Sequence, residues 1–130
     1  MNVLEINVLV LAYLGDTVYE GYIRRYLIDL GMNHVKELQE KAVLFVSAKK
    51  QAYFLEQLLE ASFFTEEEES VIRRARNYKS LRHPKNCDIL TYKHATALEA
   101  VIGYLSYLDR NDRIDAIMKF ILEVGNASLR

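Results

Sequence analysis

Cysteine and proline are almost missing from this chain of 130 residues, which has one of each. A lone cysteine, Cys87, cannot form an internal disulfide, so a disulfide scaffold is excluded and a reducing, cytoplasmic compartment is expected. One proline and five glycines leave few chain breaks, which favours long helices over many short strands. Long apolar runs are missing too. The most apolar stretch, residues 8–18, contains Asp16 and falls short of the roughly 20 apolar residues a membrane span needs. The N-terminus has no basic stretch of the signal-peptide kind, so no membrane partner is expected. Neither sign of charge dominates: the formal net charge is −1, which by itself does not announce a nucleic-acid binder. What the chain does have is 51% hydrophobic and 27% charged residues, an ordinary globular balance. Its length suits one domain with a core that needs no staples.

Apolar residues recur at helical rather than alternating spacing throughout, so an all-α fold is expected. The first helix is expected to be capped by Asn7 and to end at Gly31. Leu11, Leu14, Val18, Tyr22 and Leu27 mark its apolar side. Gly15 and Gly21 lie inside it. Each costs about 1 kcal/mol relative to alanine, so close approach of another helix is expected at each. Asn33 is read as the cap of a second helix reaching Val46. Ser47 is read as the cap of a third, carrying Tyr53, Phe54, Leu58 and Leu59. Thr65 with Glu68 three residues on is a capping-box pattern opening a fourth helix to Asn77, with acids in its first turn and arginines toward its end. A loop over residues 78–88 holds Pro84. A fifth helix is expected over residues 90–108. A sixth is expected over residues 112–124, capped by Asn111 and stopped by Gly125.

The charge is unevenly placed. Residues 73–94 contain seven Lys or Arg (Arg73, Arg74, Arg76, Lys79, Arg82, Lys85, Lys93) against one acid, Asp88, a local formal charge of +6. Asn77, Tyr78, Ser80, Asn86, Thr91 and Tyr92 add hydrogen-bonding groups. This composition suits a phosphate backbone, with cations neutralising phosphates and polar groups setting register. A solvated loop balanced by the nearby run of residues 66–69 is the alternative.

Two acids stand among apolar neighbours, Asp16 after Leu14-Gly15 and Glu99 in Ala97-Leu98-Glu99-Ala100-Val101. A carboxylate so placed must be paired, hydrogen-bonded or bound to a cation. If the two helices cross near Gly15 and Gly103, the carboxylates converge, and such a pair suits a hard, oxygen-ligated cation such as Mg²⁺. Buried salt bridges, with Arg24 or Lys93, are the competing expectation.

The segment Leu11-Ala12-Tyr13-Leu14-Gly15-Asp16 resembles the acidic "LGD" signature of ribonuclease III catalytic domains, and residues 95–103 resemble that family's second acidic helix. Ser47-Ala48-Lys49, the run from Phe63 to Glu69, Arg76-Asn77-Tyr78-Lys79-Ser80 and Pro84-Lys85-Asn86 are similar to the Mini-III branch, which lacks a double-stranded-RNA-binding domain. The resemblance covers nearly the whole chain in one order. It implies a single all-helical catalytic domain over residues 1–130, working as a homodimer. It implies cleavage of double-stranded RNA with Mg²⁺ (Mn²⁺ substituting), leaving 5′-phosphate and 3′-hydroxyl ends, in maturation of 23S ribosomal RNA precursor. Asp16 and Glu99 carry over as catalytic and metal-binding acids. Two positions depart from the longer enzymes, which have acids where this chain has Ala12 and Thr96; the site is correspondingly sparse in carboxylates.

Other candidates follow from position. Glu20, one turn after Asp16, is an outer-shell candidate or a partner for Arg24; Thr96, one turn before Glu99, is a second outer-shell candidate. Arg76, Asn77, Lys79, Ser80, Arg82, Lys85, Asn86, Tyr92 and His94 are candidates for RNA contact. Tyr104 and Tyr107 are read as core or dimer interface, His34 as a surface residue, Cys87 as an inert thiol. The competing function is an RNA-binding or ribosome-assembly protein that keeps the fold with a degraded site, an idea kept open by Ala12 and Thr96. A third is an unrelated helical interaction module.

Overall fold

The computed structural model describes residues 1–79 and 84–129. Six α-helices account for most of them: α1 (Val8–Asp29), α2 (Val35–Val46), α3 (Ala48–Glu60), α4 (Glu66–Asn77), α5 (Ile89–Tyr107) and α6 (Asn111–Asn126). Short 3₁₀ turns at Val3–Glu5 and Ala127–Leu129 flank them, and no strand occurs among the described residues. No helix of the described residues is long and apolar enough to cross a membrane.

Helix α5 is the axis of the fold. From Ala95 to Leu105 every residue except Glu99 is buried. Helices α1, α3 and α4 all pack on it. Its small residues, Ala95, Ala97, Ala100 and Gly103, let neighbours come close. A Cβ on Gly103 would stand 1.8 Å from the Leu11 carbonyl oxygen, and one on Gly15 would stand 1.8 Å from the Glu99 carbonyl oxygen. Backbone therefore meets backbone at the α1–α5 crossing, and only glycine fits on either side. Gly21 differs from the expectation: nothing lies within 4 Å of its would-be Cβ, and it faces outward.

Several ends follow sequence chemistry. Asn7 caps α1 by accepting from the Leu9 N–H, and Gly31, with φ +98, closes it in the left-handed region. Ser47 caps α3, and Asp88 caps α5 by accepting from the Thr91 N–H. Thr65 and Glu68 form the expected capping box, which fixes the start of α4.

Other expectations are corrected. His34, not Asn33, occupies the cap position of α2, without a side-chain bond. Asn111 is the first residue of α6 rather than its cap. Gly125 does not stop α6. It is buried inside the helix, because a Cβ there would stand 2.3 Å from the Phe45 ring. The buried side of α1 runs through Leu11, Ala12, Gly15, Tyr19, Ile23 and Leu27, so Leu14, Val18 and Tyr22 are only half-buried. The stripe is rotated because the glycine crossing dictates which side of α1 faces α5. Tyr19 enters the core because its hydroxyl donates to the Phe45 carbonyl at 2.5 Å. On α3, Tyr53 faces solvent, and Gln51 takes its place among the buried residues.

Candidate active site

The crossing of α1 and α5 places Asp16 one residue beyond Gly15 and Glu99 one turn before Gly103. The two carboxyl groups come close enough for Asp16 to raise the Glu99 carboxyl. Asp16 is exposed, whereas Glu99 is half-buried. Burial first, then the neighbouring Asp16 and the charge of Glu20, push the Glu99 carboxyl up to about 9; only the Gln51 amide acts in the opposite direction. Glu99 thus holds negative charge poorly without a cation. Among the described residues no lysine or arginine bridges either acid. Arg24 instead pairs with Glu20, at 3.1 Å on the exposed side of α1.

The donor set fits a hard divalent ion. Two oxygen-rich side chains converge without a protein cation between them, and one of them opens to solvent, where water and phosphate oxygens can complete the coordination. Among the described residues no cluster of three or more His, Cys, Asp or Glu has metal-binding geometry, so any ion here is held by few protein ligands. Ala12 is buried against the core, and Thr96 lines a narrow cleft with Leu9, Ala75, Tyr78, Ile89, Tyr92 and Lys93. Glu20 lies near enough to Glu99 for its charge to be felt there.

The basic segment is partly spent on the fold. Arg74 donates to the Ile6 carbonyl at 3.0 Å, and Arg73 pairs loosely with Glu69 at 3.8 Å. Asn77, Lys79, Lys85 and Asn86 are exposed, and Arg76, Tyr92 and His94 are half-buried. Ser80 and Arg82 lie outside the described residues. Tyr104 is buried, with its hydroxyl on Glu67, which also takes Arg110 at 2.7 Å. Tyr107 is exposed and donates to the Met1 carbonyl at 3.2 Å. His34 and Cys87 take no part in the carboxylate cluster.

One residue of the cluster escaped the sequence reading. Gln51, on α3 and only 4% exposed, stands near enough to Glu99 to favour its charged form. Its signal in the sequence is a polar side chain on the same side of a helix as Phe54, Leu55 and Leu58.

The chain is similar to known proteins over most of its length. The ribonuclease III domain family matches residues 9–111 of the chain. Mini-ribonuclease 3 of Enterococcus faecalis is 40% identical over 125 residues, 95% of each chain. Mini-ribonuclease 3 of Staphylococcus aureus is 40% identical over 121 residues, 93% of this chain and 90% of that one. The crystal structure of a Fusobacterium nucleatum protein matches with a TM-score of 0.80 at 32% identity, covering 92% of this chain and 93% of that chain.

Proposed function

Since the chain belongs to the ribonuclease III domain family, in its Mini-III branch, and is an endoribonuclease of that type, we propose that it hydrolyses double-stranded RNA with Mg²⁺ at Asp16 and Glu99. The observation that carries this reading is the convergence of these two carboxylates, unneutralised by any protein cation among the described residues, at the glycine crossing of α1 and α5.

Asp16 and Glu99 are the residues that would hold the ion, with Mn²⁺ able to replace Mg²⁺. A hard cation bound there supplies an acidified water and stabilises the departing oxygen. Asp16, on the open side, would hold the ion where the substrate approaches. Glu99, backed by the core, holds its position from behind. Glu20 lies just outside the pair, and Thr96 sits one helical turn before Glu99 on α5. Water adds at phosphorus as the bond to the 3′ oxygen breaks, which leaves a 5′-phosphate and a 3′-hydroxyl.

Arg76, Asn77, Lys79, Ser80, Arg82, Lys85 and Asn86 dock the phosphate backbone, while Tyr92 and His94 approach from the first turns of α5. Duplex RNA is read mainly by shape, phosphates and 2′-hydroxyls, which suits such a surface. Pairing of two copies sets two centres across one duplex groove. Exposed Val10 and Tyr13, on α1 beside Asp16, support that pairing. The whole chain acts as one catalytic domain, in the cytoplasm, and the substrate is precursor 23S ribosomal RNA.

The test is incubation of the purified protein with duplex RNA and with precursor 23S RNA, with and without Mg²⁺, followed by mapping of the new 5′ ends. Cleavage only with the ion, at discrete positions bearing 5′-phosphates, is expected. Retention of duplex RNA without any cutting contradicts the catalytic reading and favours an assembly factor.

A further inference from the structure

Helix α3 is built to pack on α5, and Phe54, Leu55 and Leu58 do so with almost no exposure. Gln51 continues that side one turn earlier and is equally inaccessible, at 4% exposure. Burying an amide is costly unless it finds a partner. A leucine would pack here at no such cost, so the amide calls for a reason. Helix α3 packs on α5, and across that interface Gln51 stands near enough to Glu99 to favour its charged form.

We propose that Gln51 is a positioning residue, which donates its amide N–H to one Glu99 oxygen and so fixes the carboxylate that holds the divalent ion. The idea rests on the reading that Asp16 and Glu99 bind that ion. The choice of side chain is informative. A lysine or arginine at this position would form a salt bridge and compete with the ion for Glu99. An amide orients the carboxylate without neutralising it, and the remaining oxygen lone pairs stay available toward Asp16. Packing on α3 holds the amide itself, so the Glu99 rotamer is set before the ion arrives. Partners of this kind commonly contribute about 10–100-fold in metal affinity.

The experiment is calorimetric titration of Mn²⁺ into chelator-treated protein, alongside single-turnover cleavage of duplex RNA. Gln51→Met keeps length and helix preference and removes the donor. It is expected to weaken Mn²⁺ binding about 10–100-fold, to lower kcat at saturating RNA, and to leave the KM for RNA unchanged. Gln51→Asn keeps the polarity but is one methylene too short to reach Glu99, so it gives the same loss and serves if the methionine variant does not fold. Gln57→Met, elsewhere on α3, changes neither quantity. Wild-type Mn²⁺ affinity in a folded Gln51 variant overturns the inference. If Asp16→Asn and Glu99→Gln also leave Mn²⁺ affinity unchanged, the metal-site reading itself fails; if those two abolish binding and Gln51→Met does not, only the role of Gln51 fails.

Discussion

Two glutamates in this molecule are drawn out of water, and they are treated in opposite ways. Glu68, 1% exposed, is fully answered by protein. Arg113 grips it with Nε at 2.8 Å and Nη2 at 2.7 Å, and the Thr65 N–H donates to it at 3.0 Å. The same guanidinium donates to the Phe63 carbonyl and lies over the Phe63 ring, so α4 and α6 are pinned together at this corner. Glu99 receives no such answer. It meets Asp16, the charge of Glu20 and one neutral amide. Folding alone is served by the first arrangement. The second leaves an acid that either keeps its proton or takes a cation from outside the chain. A buried acid without its cation is therefore the mark of the site, and a buried acid with one is the mark of the scaffold.

The largest effect expected from breaking this contrast is on catalysis. Asp16→Asn should cut duplex RNA at least about 10³-fold more slowly at saturating Mg²⁺, a loss of several kcal/mol in barrier lowering. Circular dichroism and thermal melting should stay near wild type, since Asp16 is exposed.

The crossing itself comes next. Gly15→Ala forces a Cβ into backbone that cannot yield, and should cost about 3 kcal/mol of stability in a denaturant titration. Gly21→Ala, in open space, should instead raise stability by up to about 1 kcal/mol.

At the answered corner, Glu68→Gln leaves Arg113 partly buried without its charge. It should cost about 2 kcal/mol in the same titration, with cleavage per folded molecule unchanged.

The unanswered acid has the opposite sign. In metal-free protein the folded state keeps a proton on Glu99 up to about pH 9, well above the ordinary carboxylate value of 4.5. That contribution to stability is complete below the ordinary value and is lost as pH rises through the raised one. Melting from pH 6 to pH 9 should therefore show wild type losing ground to Glu99→Gln, by up to about 4 kcal/mol, at about 1.4 kcal/mol per pH unit. Parallel pH curves for the two proteins contradict the raised titration.

The smallest effect concerns the basic loop. Lys79→Ala and Lys85→Ala should each reduce the salt dependence of duplex binding by roughly one ion, read as the log–log slope of affinity against salt.

Much of this was legible in the sequence because it rests on local rules. Caps at Asn7, Ser47 and Thr65, the turn at Gly31 and the pairing of Gly15 with Gly103 all act over short spans of chain or through one residue type. The order of motifs around Asp16 and Glu99 drew attention to the pair. What was not legible depends on which side of a helix another helix claims. The rotated core side of α1, the place of Gly125 under the Phe45 ring and the diversion of Arg74 to the Ile6 carbonyl are set by contacts distant in sequence. Gln51 belongs to that class. A glutamine near the start of a helix reads as surface until the helix is seen turned inward.

The difference between Glu68 and Glu99 is tested most directly by calorimetric titration of Mn²⁺ into chelator-treated wild type, Glu68→Gln and the double variant Asp16→Asn with Glu99→Gln. Saturable binding is predicted in the first two, and its loss in the third. Equal binding in all three contradicts the assignment of the ion to the α1–α5 crossing.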